Sequence, residues 1–252
     1  MDEAFLSRIE DASLNASAPP QQRWLDGWLV RTSPGKAKRA RCINAVADGR
    51  LPLDDRLRLA AAVFDEAGLP MVLRLTRFTR PADLDGQLAQ RGFEQIDDTR
   101  VLVCTPLPAA DPPPLPAGTH WAALDAAAYA EAVGEMHSSP PEQRRAQAER
   151  LQACPIQYRG YAICRDDDGA VLACGQFARE AELVGLYDVF TRETARGGGL
   201  ATTLCKHLLT LAAFEGAKTA YLQVEHSNHA ARRIYAALGF VEGYRYWYRQ
   251  AV

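Results

Sequence analysis

The stretch Leu183 to Gly216, LVGLYDVFTRETARGGGLATTLCKHLLTLAAFEG, decides how this chain of 252 residues is read. Leu183 to Phe190 is a nearly continuous run of apolar and β-forming residues, the pattern of a buried central strand. After three consecutive glycines, Leu200, Leu204, Leu208 and Ala212 form one helical stripe, with Ala201, Cys205, Leu209 and Ala213 beside it. Gly216 ends that helix. A strand, a glycine turn and a helix in this order make an anion site. The first helical N–H groups have no intrahelical partners, and the helix dipole favours negative charge there. Glycines let the backbone approach phosphate oxygens and adopt positive φ. Arg196 can add a charge-assisted contact or brace the loop, and small Ala201 lets the helix start lie close to a ligand. Glycines alone would suit a flexible surface turn, but a buried strand and an apolar helix leave little slack for one. The chain has no Gly-Lys-Ser/Thr and no G-x-G-x-x-G spacing here, which weakens a P-loop or Rossmann reading.

Downstream, Tyr221 to Glu225 reads as the next strand. Asn228 suits the N-cap of a helix running to Leu238, Gly239 its C′ position and Phe240 the hydrophobic partner that follows. Tyr244 to Tyr248 reads as a final strand. Ala231, Ile234, Tyr235 and Leu238 share one helix face. Taken singly, Asn228 is a cap and Tyr235 a core aromatic with its hydroxyl satisfied nearby.

Together the two stretches resemble the GNAT superfamily of N-acetyltransferases. Its first signature is Arg or Gln, two residues, Gly, one residue, then Gly or Ala. Here it reads Arg196-Gly197-Gly198-Gly199-Leu200-Ala201. Asn228, Ala231, Tyr235, Gly239 and Phe240 carry the second. The resemblance is clear over Leu183 to Tyr248 and looser over everything after residue 118. It implies an α+β fold: a mixed, mostly antiparallel central sheet flanked by helices. It implies acetyl-CoA as co-substrate, with its pyrophosphate on Arg196 to Ala201. The backbone of Val189 and Thr191, at a bulged strand end, would contact the acetyl group and pantetheine. Asn228 would lie near the pantetheine, and Tyr235 near the thioester sulfur, suited to protonate the leaving thiolate. In such enzymes a neutral amine attacks the thioester directly and backbone N–H groups hold the developing oxyanion.

A base must then take the ammonium proton. Asp188 and Glu225, each near a strand end, are the candidates, although the same positions suit solvated carboxylates. His137 is a third candidate and also reads as a surface histidine. His226 and His229 lie three apart, but no carboxylate or Cys set completes a metal site nearby, so no metal is expected.

Pro106 to Gly118, PLPAADPPPLPAG, has six prolines and divides the chain. It reads as a stiff extended linker at 106–118 between residues 1–105 and 119–252. In the second half, helices are expected at Tyr129 to Met136 and Glu142 to Gln152, and a hairpin at Tyr158 to Cys164 and Val171 to Ala178 around Asp166-Asp167-Asp168-Gly169. The first half carries a fainter version of the plan: a strand at Trp28 to Arg31, a helix from Asp54 to Ala67, a strand at Met71 to Thr76, a helix at Leu84 to Arg91 and a strand at Arg100 to Cys104. Gly68 and Gly216 lie 148 positions apart, Phe93 and Phe240 147 apart, which points to a duplication. In those registers the phosphate loop becomes Asp48-Gly49-Arg50-Leu51-Pro52-Leu53, Asn228 becomes Pro81 and Tyr235 becomes Leu88. The expectation is two GNAT-like domains, the first degenerate, buttressing the active half and shaping its acceptor pocket.

Net charge is -2, so no general pull toward nucleic acid or anionic membrane is expected. The basic run Lys36 to Arg41, KAKRAR, reads as a solvated strand face or loop. Cys42, Cys104, Cys154, Cys164, Cys174 and Cys205 show no C-x-x-C spacing, and several sit in apolar runs as small hydrophobes. With no signal-like start and no transmembrane-length segment, a cytoplasmic protein is expected. The expected activity is N-acetylation of a primary amine on a small molecule or peptide, by a monomer or homodimer. The alternative is a non-catalytic acyl-CoA sensor.

Overall fold

The computed structural model describes residues 1–108 and 113–251; residues 109–112 of the expected linker lie outside the described residues. The acidic N-terminus forms a helix because Asp2 caps it, its carboxylate accepting from the Phe5 N–H at 2.8 Å. This helix, α1 (Glu3–Ala16), buries Leu6, Ile9, Ala12 and Ala16. The rest of the first half runs β1 (Gln22–Leu25), β2 (Trp28–Arg31), β3 (Ile43–Ala45), α2 (Leu53–Glu66), β4 (Val72–Thr76), α3 (Leu84–Gln90) and β5 (Glu94–Cys104). The second half runs β6 (Thr119–Leu124), α4 (Ala126–Met136), α5 (Pro141–Ala153), β7 (Tyr158–Arg165), β8 (Val171–Glu180), β9 (Leu183–Thr191), α6 (Leu200–Phe214), β10 (Thr219–Glu225), α7 (His229–Ala237) and β11 (Val241–Gln250). The glycines read as helix stops, Gly68, Gly92, Gly216 and Gly239, all have positive φ. The last strand of the first half begins six residues earlier than its apolar run at Arg100 suggests, because the polar stretch from Glu94 pairs with β11, across a register shift between Ile96 and Thr99.

The halves do not form separate sheets. One eleven-stranded sheet runs β1-β2-β3-β4-β11-β5-β10-β9-β8-β7-β6. Within it, β3 and β4 are parallel, as are β9 and β10; every other pair is antiparallel. The two halves are strand-exchanged: β11 lies against β4 of the first half, β5 lies against β10 of the second, and β5 pairs with β11 at the centre. The chain boundary at residue 105 therefore divides the sequence but not the sheet. About this centre, β1 to β5 with α2 and α3 repeat the order and pairing of β7 to β11 with α6 and α7.

Helices cover both faces. On one, α1 packs on Tyr187, Tyr221, Tyr244, Tyr246 and Tyr248, and α4 and α5 pack beside it. On the other, α6 and α7 pack on Val184, Leu186, Leu222 and Val224, and α2 and α3 on Leu73, Leu75 and Phe93. The alternation along β10, Tyr221 to one side and Leu222 to the other, fixes which side chains meet which layer.

A buried ion pair ties α1 to the sheet. Glu10 receives a two-pronged contact from Arg74 of β4 and a hydrogen bond from the Tyr244 hydroxyl at 2.6 Å. The Arg74 guanidinium lies 3.9 Å from the Tyr246 ring centre. Burial alone would raise the Glu10 carboxyl; Arg74 and Tyr244 outweigh it, and the net shift is downward. The pair's contribution is then complete above the ordinary carboxylate range and is lost as pH falls through the folded value. Glu10→Gln should cost about 3–5 kcal/mol in urea unfolding, because it strands Arg74 as a buried cation.

Candidate active site

The parallel ladder between β9 and β10 stops early. Its last pair is Leu186 with Leu222, after which β9 continues to Thr191 and β10 to Glu225 without pairing. The cause lies on β9. Between Cys174 and Gln176 of β8 the register shifts, so Asp188 and Val189 stand opposite Gly175 alone. Asp188 takes a left-handed conformation, φ 49°. Its carbonyl accepts from the Tyr129 hydroxyl of α4 at 2.8 Å, and its carboxylate accepts from the Gln176 side-chain amide at 2.9 Å and more loosely from Gln147 at 3.4 Å. Opposite the bulge only glycine fits well: a Cβ on Gly175 would meet Leu208, Leu204 and Val189 at 3.1–3.2 Å.

The glycine loop lies beyond the end of β9. Gly197 and Gly199 have φ of 85° and 78°, and open space surrounds both, so conformation rather than crowding demands glycine there. Gly199 caps α6, and the first helical bond on it runs from the Thr203 N–H, leaving the N–H groups of Leu200, Ala201 and Thr202 outside the helical ladder. Arg196 braces the loop, donating to the Thr191 carbonyl at 3.3 Å and pairing with Glu193, its guanidinium 5.6 Å from the Phe190 ring centre. The buried Thr191 hydroxyl has no partner. A phosphate-bearing thioester fits this set: a positive-φ glycine pair, free helical N–H groups and an orphan hydroxyl at the strand end.

On the same face, Asn228 caps α7, its side-chain oxygen accepting from the Ala231 N–H at 3.1 Å. Tyr235 is buried against Phe240 and Cys205, which raises its hydroxyl, so it stays protonated well above neutrality. Val189, Thr191, Arg196 to Ala201, Asn228 and Tyr235 are thus carried by β9, the loop, α6 and α7. Asp188 and Glu225 are instead on the other side. Both line a cleft of about 450 Å³ on the α1 face, with Gln223, Tyr246 and Tyr248. Asp188 also borders a smaller cleft with His137 and Gln147. Burial, with Lys36 nearby, lowers the His137 imidazole and keeps it neutral.

The basic run departs from its expected solvated role. Lys36, Lys38, Arg39 and Arg41, between β2 and β3, form one wall of the larger cleft. Arg39 is half-buried and donates to the Gln223 side-chain oxygen at 2.7 Å, which also accepts from the Tyr246 hydroxyl at 2.8 Å. Sequence reading missed this loop, and it missed Tyr129 and Gln176, which pin the bulge. The Tyr244, Tyr246, Tyr248 alternation was the visible signal of a polar-edged aromatic face. Among the described residues no cluster of three or more His, Cys, Asp or Glu is arranged to hold a metal, and no helix is long and apolar enough to cross a membrane.

Residues 126–240 match the family described as Acetyltransferase (GNAT) family. These residues are a GNAT-family acetyltransferase domain. Acyl transfer from acyl-CoA is the chemistry of that family. The chain is 24% identical over 224 residues to a Bacillus subtilis (strain 168) protein named Uncharacterized N-acetyltransferase YobR, covering 87% of each. A GCN5-related N-acetyltransferase structure from Kribbella flavida has the same fold, with TM-score 0.70 at 19% identity over 97% of this chain and 95% of that one. A tandem GNAT protein from the clavulanic acid biosynthesis pathway aligns with TM-score 0.64 at 16% identity, over 79% and 69%.

Outside the GNAT domain, the loop at residues 46–52 before α2 stands where the glycine loop stands before α6. Its N–H groups already hold an anion. The Asp26 carboxylate accepts from the N–H of Arg50 at 2.9 Å and of Leu51 at 2.8 Å, with Arg56 at 3.8 Å. The backbone bonds hold Asp26 below the ordinary carboxylate range. A Cβ on Gly49 would lie 2.4 Å from the Asp26 carboxylate and 2.5 Å from Arg56. Gly49→Ala should lower the thermal midpoint, by roughly 2–4 °C for each kcal/mol of overpacking in a chain this size, while leaving the KM for acetyl-CoA unchanged.

Proposed function

We propose that this chain transfers an acetyl group from acetyl-CoA to a primary amine of a small molecule or peptide, at one site per chain. The observation that carries this reading is the broken β9–β10 ladder. Past Leu186 and Leu222 the two strands share no ladder, the glycine loop following the end of β9 and the carboxylate-lined cleft lying over β9 and β10. The donor supplies an activated acyl thioester. Arg196 to Ala201 would hold its pyrophosphate, and Val189, Thr191 and Asn228 would hold the acyl and pantetheine portion. The Asp188–Val189 bulge leaves backbone polar groups outside the regular ladder, where they can face a carbonyl oxygen as charge develops on it.

Tyr235 keeps its proton in its buried position and is the proton donor for the departing thiolate. Glu225 is the base for the ammonium proton, directly or through water, since its carboxylate has no hydrogen-bond partner among the described residues. Asp188, whose carboxylate already accepts two side-chain amides, positions the amine beside it. Residues 1–105 are a degenerate copy that arose by duplication. The shared order and pairing of strands favours that origin, and Asp26 at the copied loop argues against a second donor site.

The test is thiol release from acetyl-CoA across a broad panel of amines. Tyr235→Phe should lower kcat by about 10²–10⁴-fold with little change in the KM for acetyl-CoA. Arg196→Ala and Gly199→Ala should instead raise that KM. Wild-type rates in both Tyr235→Phe and Arg196→Ala would move the active site elsewhere. Saturable acetyl-CoA binding without thiol release on any amine would make the chain an acyl-CoA sensor.

A further inference from the structure

The acceptor-side cleft has a charge pattern that neither the family nor the proposed chemistry requires. Its lining combines Asp188 and Glu225 of β9 and β10 with Lys36, Arg39 and Arg41 of the loop between β2 and β3. Lys38, the fourth cation, is already paired with Asp97. None of Lys36, Arg39 and Arg41 comes within 4.0 Å of either carboxylate. Opposite charges thus line one cleft without pairing to one another, beside Tyr246 and Tyr248. Low-dielectric walls focus the field between such groups. A molecule with an ammonium at one end and an anion at the other would satisfy both sets of charges at once.

We infer that the acceptor is zwitterionic: a small primary amine that also carries a carboxylate or phosphate, its anion held by Arg41 and Lys36 of the first half. The inference rests on the reading above for what happens at the amine end. Three observations support it. The cleft of about 450 Å³ suits an amino-acid-sized or dipeptide-sized molecule rather than a folded protein. Arg39 is fixed by Gln223 of β10, which anchors the loop over the strand that bears Glu225. The donor's own phosphates do not account for the cations, because none of Arg196 to Ala201 lines the cleft that holds them. On this view, the first half no longer binds a donor and instead selects the acceptor.

Matched acceptors test this: α-amino acids against their amides and decarboxylated amines, and aminoalkyl phosphates against aminoalkyl alcohols, each by thiol release. The anion-bearing member of a productive pair should have a kcat/KM about tenfold or more above its neutral partner, the scale of a charge-assisted contact. Lys36→Gln with Arg41→Gln should erase that preference through the acceptor KM, leaving the acetyl-CoA KM and the rate with neutral amines unchanged. Equal or better turnover of neutral amines would overturn the inference. So would a preference that survives the double substitution, or a shift in the acetyl-CoA KM. Whether carboxylates or phosphates give the larger effect identifies the anion. Calorimetric titration of the same acceptors into the CoA-saturated protein reads the clamp without catalysis. Zwitterion binding without turnover would sink the proposed function and keep the clamp; turnover of neutral amines alone would do the reverse; neither binding nor turnover overturns both.

Discussion

The antiparallel pairing of β5 with β11 holds the rest of the molecule in place. Each strand ends one half of the chain and lies beside the penultimate strand of the other half. Withdraw either and an inner strand, β4 or β10, would present a row of unpaired backbone groups to water. The exchange also sets distances at the site. It carries Tyr246 and Tyr248 from the end of the chain, and the loop at residues 36–41 from near its beginning, to the edge of a cleft whose floor is β9 and β10. A proline-rich connection between the halves then needs only reach, not rigidity, because the sheet itself fixes their relation.

The second constraint is the bulge on β9. A non-glycine residue in the left-handed region costs on the order of 1–3 kcal/mol and persists only where its surroundings hold it. At Asp188 they do. One hydrogen bond from Tyr129 is worth about 0.5–1.5 kcal/mol, and one to a carboxylate from Gln176 about 1.5–3 kcal/mol, enough to offset the strain. The bulge is therefore the stable local state, and a slip of register is not. Its consequence is the fork between β9 and β10. Elsewhere the sheet is a continuous wall between two helical layers, and here two adjacent strands run on without a shared ladder.

Much of this was legible in the residues. Leu183 to Phe190, the glycines and the Leu200 stripe gave the central strand, loop and helix, because each is a strong local signal flanked by another. Asn228, Gly239 and Phe240 gave α7 its ends for the same reason. The strands β1, β3 and β6 were not foreseen. They are short, and neighbours rather than their own periodicity decide them; β3, three residues long, is buried on both sides by β2 and β4. The strand exchange was beyond reach as well, since nothing in Glu94 to Cys104 states whose sheet it joins. The basic run misled because six residues rich in Lys and Arg look solvated in isolation. Only tertiary contact reveals that Arg39 is half-buried on Gln223. The bulge is a similar case: Tyr129 and Gln176 hold it from elements remote in the chain.

The contrast between the two helix-start loops supports the proposal of one donor site in a chain with two similar halves. Before α6 the N–H groups are free, and two glycines hold the backbone in a form that an L side chain resists. Before α2 the same kind of site has been filled from within by Asp26, on the turn between β1 and β2. A tethered carboxylate has little translational entropy to lose and is always at hand, so it competes strongly with a free phosphate for the same donors, and its charge repels one. Filling the site also fastens the β1–β2 turn to the start of α2. That stiffens the half from which residues 36–41 extend. On the duplication proposed above, one exchange of partners, an aspartate in place of a phosphate, would account both for the lack of a donor site in the first half and for its support of the second.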